Sequence, residues 1–124
     1  MGHILVVDDD PDVCHLMVRL LTRLGHQAAC VTSGRAALEQ IQSDRPSVML
    51  LDVMMPEMSG IDVLREVRRI NGEPKIAVIM FSALSDPMIR NQALELGASE
   101  YWVKASMDVQ EIMGRLKKFL PAPA

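Results

Sequence analysis

The chain has 124 residues, of which 49% are hydrophobic and 23% charged, with a formal net charge of -3. That is enough for one domain with a real core and too little for two. The acidic balance gives no electrostatic footprint for nucleic acid, and one Trp, one Tyr and two Phe cannot build a base-stacking platform. No apolar run approaches the ~20 residues of a membrane span and no charged-then-apolar leader opens the chain, so a soluble cytoplasmic domain touching neither nucleic acid nor membrane is expected.

His3 to Val7 is a short Ile/Leu/Val run followed at once by Asp8, Asp9, Asp10 and Pro11. It predicts a buried strand feeding a helix, with Asp10 as cap and Pro11 at the first helical position. Val13, Leu16, Met17, Leu20, Leu21 and Leu24 then recur at helical spacing until Gly25. Gln27 to Val31 is a second strand, and Ser33 caps a helix carrying Ala36, Ala37, Leu38 and Ile41 before Pro46 forbids continuation. Cys14 and Cys30 lie in apolar surroundings without metal-ligand spacing, which favours buried free thiols over a disulfide or a zinc site.

The third strand, from Val48, ends abruptly in Asp52. Past it, Met55 and Met58 can pack down a loop punctuated by Pro56 and Gly60. Helical period returns through Ile61, Leu64, Val67 and Ile70, with Arg65, Glu66, Arg68 and Arg69 on the wet side and Asn71-Gly72 as the stop. Lys75 to Phe81 is strand four, closing on Ser82, and Asp86-Pro87 opens a helix that ends at Gly97. Glu100 to Val103 is strand five, closing on Lys104. A last helix places Val109, Ile112, Met113, Leu116, Phe119 and Leu120 on one face.

Five strand-then-helix units imply a parallel sheet with helices on both faces and right-handed crossovers. Spacing alone leaves the strand order open. Four strands nevertheless deliver Asp8 and Asp9, Asp52, Ser82 and Lys104 to one edge, the carboxyl edge, where open α/β sheets place their chemistry. Three carboxylates gathered there repel one another, and a hard divalent cation removes that cost. Magnesium uses one or two protein carboxylates together with water and phosphate oxygens. Asp52 can then attack a phosphoryl group to give an acyl phosphate, with Lys104 and the Ser82 hydroxyl on its oxygens.

At this point the chain resembles the receiver domain of two-component response regulators. The resemblance rests on Val6-Val7-Asp8-Asp9, on Asp52 with Met55-Pro56 and Met58 through Gly60, on Ser82-Ala83, and on Tyr101 with Lys104. It implies a flavodoxin-like doubly wound sheet in the order 2-1-3-4-5. The receiver would span residues 1–120, with 121–124 as a tail or the start of a linker. Further implications are Mg2+ or Mn2+ held mainly by Asp9, with Asp8, Asp52 and the Met54 backbone carbonyl, and Asp52 as phosphoacceptor from a sensor histidine kinase or a histidine phosphotransfer protein. Ser82 and Tyr101 would form the switch that remodels the face of helix four, strand five and helix five. An output domain or downstream protein and a phosphorylation-dependent homodimer are the implied partners. Catalysis would be confined to the domain's own phosphorylation and dephosphorylation.

In that family the side chains at the places of Met54 and Leu84 tune the lifetime of the acyl phosphate, and both are apolar here. The chain departs from the pattern where Lys104 is followed by Ala105 and not by proline; the long lysine stem is expected to reach Asp52 all the same. Trp102 reads as a core filler against the first or last helix. A flavodoxin is disfavoured because Asp8 to Pro11 has the wrong charge to hold a flavin phosphate. A phosphatase of the haloacid-dehalogenase type is disfavoured because Met54 stands where a general acid is needed.

Overall fold

A computed structural model of the chain describes residues 3–70 and 75–120. Strands β1 (His3–Val7), β2 (Gln27–Val31), β3 (Val48–Leu51), β4 (Ala77–Ser82) and β5 (Glu100–Val103) alternate with helices α1 (Pro11–Arg23), α2 (Gly34–Ser43), α3 (Gly60–Arg69), α4 (Pro87–Glu95) and α5 (Val109–Leu116). All strand pairs are parallel, in the order β2-β1-β3-β4-β5. The two central strands explain themselves: Ile4 to Val7 and Val48 to Leu51 are continuous apolar runs because both sheet faces are covered.

Alternation along these strands splits the core in two. Leu5, Val7, Met49, Leu51, Val78 and Met80 face one side. Ile4, Val6, Val48, Leu50, Ile79 and Phe81 face the other, against Cys14, Met17 and Leu21 of α1 and Ile112 and Leu116 of α5. Trp102, 2% exposed, fills this second layer between α1 and α5 as expected. Among the described residues no helix is long and apolar enough to cross a membrane.

The helix starts follow their caps. Asp10, Ser33 and Asp86 each accept the hydrogen bond of a first-turn amide, and Pro11 and Pro87 stand at the first helical positions. α3 begins with a reciprocal capping box between Ser59 and Asp62. Gly25 and Gly97 take φ of +89° and +103°, the left-handed conformation that ends α1 and α4.

Several expectations are corrected. β4 runs from Ala77 and includes Ser82, whose residue pairs with Val103. Leu16 and Leu24 point outward, 53% and 52% exposed, because the face of α1 turned to the sheet is Cys14-Met17-Leu21. Val109 is likewise off the buried stripe of α5. Cys14 and Cys30 are free, but only Cys14 is buried. Burial, with Cys30 beside it, pushes the Cys14 thiol up to about 12. Arg68 does not lie on the wet side. Its guanidinium turns in to donate to Ile76 O at 2.7 Å and Gly97 O at 2.9 Å, fastening α3 to the entries of β4 and β5, and burial lowers its pKa. The proposed stop at Asn71-Gly72 lies outside the described residues; α3 ends at Arg69.

Candidate functional site

The site forms where β1 and β3, adjacent at the centre of the sheet, end in carboxylates. Backbone amides continue the ladder past both strands: Asp8 N donates to Val31 O at 3.2 Å and Asp52 N to Val7 O at 2.9 Å. Asp8 and Asp52 are therefore held in place while buried, at 3% and 7% exposure, and Asp9 between strand and helix is exposed. One ligand oxygen from each of Asp8, Asp9 and Asp52 falls within 4.8 Å of the others. Hard oxygen donors on a shared centre fit a divalent cation such as Mg2+, and nothing in this donor set favours a softer metal.

Lys104 comes from the end of β5 through a short 3-10 turn, Lys104–Ser106. Its ammonium lies 2.5 Å from Asp8 Oδ2 and 3.5 Å from Asp52 Oδ2. The lysine thus reaches Asp52 without a proline behind it, but its tighter partner is Asp8, which spacing along the chain did not indicate. Burial works against the ammonium, yet the Asp8 hydrogen bond and the two carboxylate charges outweigh it and raise its pKa. Asp52 also lies above the usual carboxylate value. Burial is the main cause, Lys104 opposes it, and Asp8 adds to it. A buried carboxylate that one lysine only partly neutralises is a group primed to take up a cation or an electrophile.

Ser82, fully buried at the end of β4, accepts a hydrogen bond from Leu84 N at 3.2 Å. The hydroxyl also lies near enough to the Asp52 carboxylate and the Tyr101 phenol to favour the ionised form of each. Tyr101, one strand further out, donates its hydroxyl to Leu84 O at 2.8 Å, and burial raises its pKa. Asp8, Asp9, Asp52, Ser82 and Lys104 are therefore gathered directly, whereas Tyr101 meets them through Ser82 and the Leu84 backbone.

The loop after Asp52 is shaped as expected. Met55 is buried and Met58 packs on the same cluster, while Met54, two residues past Asp52, is 60% exposed. Glu57 takes φ of +68°, and Gly60 N closes the loop onto Val53 O at 2.8 Å. Two residues near the site carry roles that sequence reasoning missed. Phe81 lies under the Lys104 ammonium, and Glu100 holds the Trp102 indole. A strand-end aromatic and an acid two residues before a buried Trp were the available signals.

Comparison with known proteins agrees with this geometry. A family model described as "Response regulator receiver domain" matches residues 4–117. The transcriptional regulatory protein ZraR of Escherichia coli is 38% identical over 117 residues, which is 94% of this chain and 26% of ZraR. The chain thus spans about a quarter of that relative, and about half of others that it matches. Among solved structures, a Vibrio cholerae chemotaxis protein superposes with a TM-score of 0.89 at 25% identity, covering 97% of this chain and 99% of that one. The response regulator TrrA of Thermotoga maritima, solved in complex with Mg2+ and BeF, gives 0.84 at 32% identity, covering 97% and 100%. With the matched residues spanning nearly the whole described fold, and the sheet order that of these structures, the chain belongs to the family of response regulator receiver domains.

Proposed function

We propose that Asp52 is the phosphoacceptor of this receiver domain, taking a phosphoryl group from a histidine kinase or a histidine phosphotransfer protein. The observation that carries the assignment is the buried Asp52 carboxylate, 3.5 Å from Lys104 and grouped with Asp8 and Asp9. A divalent cation, Mg2+ by its donor set and by the Thermotoga relative, supplies charge neutralisation when held by Asp8, Asp9, Asp52 and the Met54 carbonyl.

The remaining steps belong to the chain. One Asp52 oxygen attacks phosphorus as the bond to the donor nitrogen breaks, giving an acyl phosphate and a free imidazole. Lys104 shifts from Asp8 to a phosphoryl oxygen, and the Ser82 hydroxyl donates to another. Moving the Ser82 hydroxyl changes what Tyr101 meets at Leu84, which couples the site to the surface of α4, β5 and α5. An output domain or a downstream protein reads that surface, a homodimer on it forms with phosphorylation, and the receiver spans 1–120, with 121–124 as a tail or the start of a linker. Incubation with acetyl phosphate and Mg2+, then borohydride reduction, converts an aspartyl phosphate to homoserine. Peptide mapping should find it at position 52, and homoserine at position 8 or 9 would overturn the assignment.

Lifetime offers an independent check. Hydrolysis of the acyl phosphate needs an in-line water, and the exposed thioether of Met54 offers it no strong acceptor. Met54→Asn places an amide two residues past Asp52 without disturbing the core. It is expected to speed loss of label on the order of tenfold, below the 10²–10⁴ of a full general base. Leu84 packs partly into the core, so Leu84→Glu also carries a folding cost. Identical decay of parent and Met54→Asn, followed by phosphate release, would remove Met54 as a lifetime determinant.

A further inference from the structure

Lys104 lacks the proline that would stiffen the backbone after it, and its flexible four-carbon stem loses rotamer entropy wherever the ammonium is held. Two carboxylates attract the charge. The ammonium also lies 5.7 Å from the centroid of the Phe81 ring. Phe81 and Ser82 are successive residues of β4, so they project to opposite faces of the sheet and flank the site's edge. Phe81 is 8% exposed, so its ring meets the ammonium where little water competes.

The ring is itself fixed. Trp102 meets it edge to face, with centroids 6.4 Å apart and planes at 86°. The indole N–H donates to Glu100 Oε1 at 2.6 Å, and the other Glu100 oxygen takes Lys118 at 2.7 Å. We propose that Phe81, clamped by Trp102 and Glu100, is a positioning residue for Lys104, seating its ammonium between Asp8 and Asp52 where a proline-stiffened backbone is absent. The proposal rests on the reading that Lys104 acts on the phosphoryl group. It predicts that Phe81 acts through its ring quadrupole and not only through its volume.

Phenylalanines bearing increasing numbers of ring fluorines, incorporated at position 81 of the full chain, drain the quadrupole while nearly conserving shape. The rate of phosphorylation by acetyl phosphate at subsaturating donor is expected to fall stepwise, by about 3- to 30-fold across the series. Melting temperatures should stay constant along it. The same series in a Lys104→Met background should be flat. A flat series in the parent, with Lys104→Met slow, would overturn the Phe81 proposal alone. A Lys104→Met protein phosphorylated as fast as the parent would overturn the reading of Lys104 and the proposal with it. A stepwise fall that persists in the Lys104→Met background would show a ring effect not exerted through the lysine, and would also overturn it.

Discussion

Asp52→Asn is expected to lose phosphoryl incorporation and to melt at a higher temperature than the parent. The amide is not a nucleophile at neutral pH, and Asp8, the other buried strand-end carboxylate, is engaged by the closer contact to Lys104, so the loss should be on the order of a thousandfold or more. Stability moves the other way. Burial and Asp8 raise the Asp52 pKa above its ordinary value of 3.8, so across that interval the native state binds more protons than the unfolded chain. Stability is then full below the ordinary value and is lost as pH rises through the folded one. At neutral pH the ionised carboxylate is a standing cost that asparagine removes, a gain of ~0.5–2 kcal/mol. Melts from pH 3 to 8 should show the two proteins converging at the acid end and separating toward neutrality. Equal melting temperatures at pH 7 would contradict the raised pKa, and retained labelling would contradict the nucleophile.

Gly60→Ala should be the most damaging glycine-to-alanine change among the described residues. A Cβ there would stand 2.0 Å from the Asp52 carbonyl oxygen, 2.8 Å from its carbon and 2.9 Å from Val53 Cα. Those are backbone atoms and have nowhere to retreat. Asp52 N is bonded to Val7 O, and Gly60 N to Val53 O. Roughly 3–5 kcal/mol of destabilisation is expected, with a fall in melting temperature of roughly 10–20 °C. Because the clash is on Asp52 itself, whatever folded protein remains should label slowly. Gly114→Ala is the matched comparison: within α5 its Cβ would meet nothing within 4 Å, so the same methyl should stabilise by roughly 0.5–1 kcal/mol. If the two variants melted alike, the close approach at Gly60 would not be what the chain needs there.

The carboxyl-edge constellation was legible because each member closes an apolar run. Asp8, Asp52, Ser82 and Lys104 are placed by strand ends, and strand ends are written in local pattern. Helix faces were less legible. Leu16 and Leu24 share a helical period with Met17 and Leu21, and only the angle at which α1 meets the sheet decides that Cys14-Met17-Leu21 goes in. Arg68 was misplaced for a related reason. A charged residue next to a buried stripe reads as solvated, but its long stem carries the guanidinium to two carbonyls, at Ile76 and Gly97, just before β4 and β5.

Amino-acid order by itself determined the five strand-then-helix units, the caps that start the helices, and the set of residue types delivered to one edge. These depend on neighbours within a turn or a strand, so short-range sterics and periodicity carry them. Tertiary structure alone decided the distances. Resemblance implied the order β2-β1-β3-β4-β5, but periodicity cannot order strands, since each crossover is compatible with more than one neighbour. That order puts β1 beside β3 and so brings Asp8 to Asp52. It leaves Lys104 two strands from Asp52, bridging to Asp8 at 2.5 Å over the ring of Phe81, because a flexible cation settles where charges from separate strands converge.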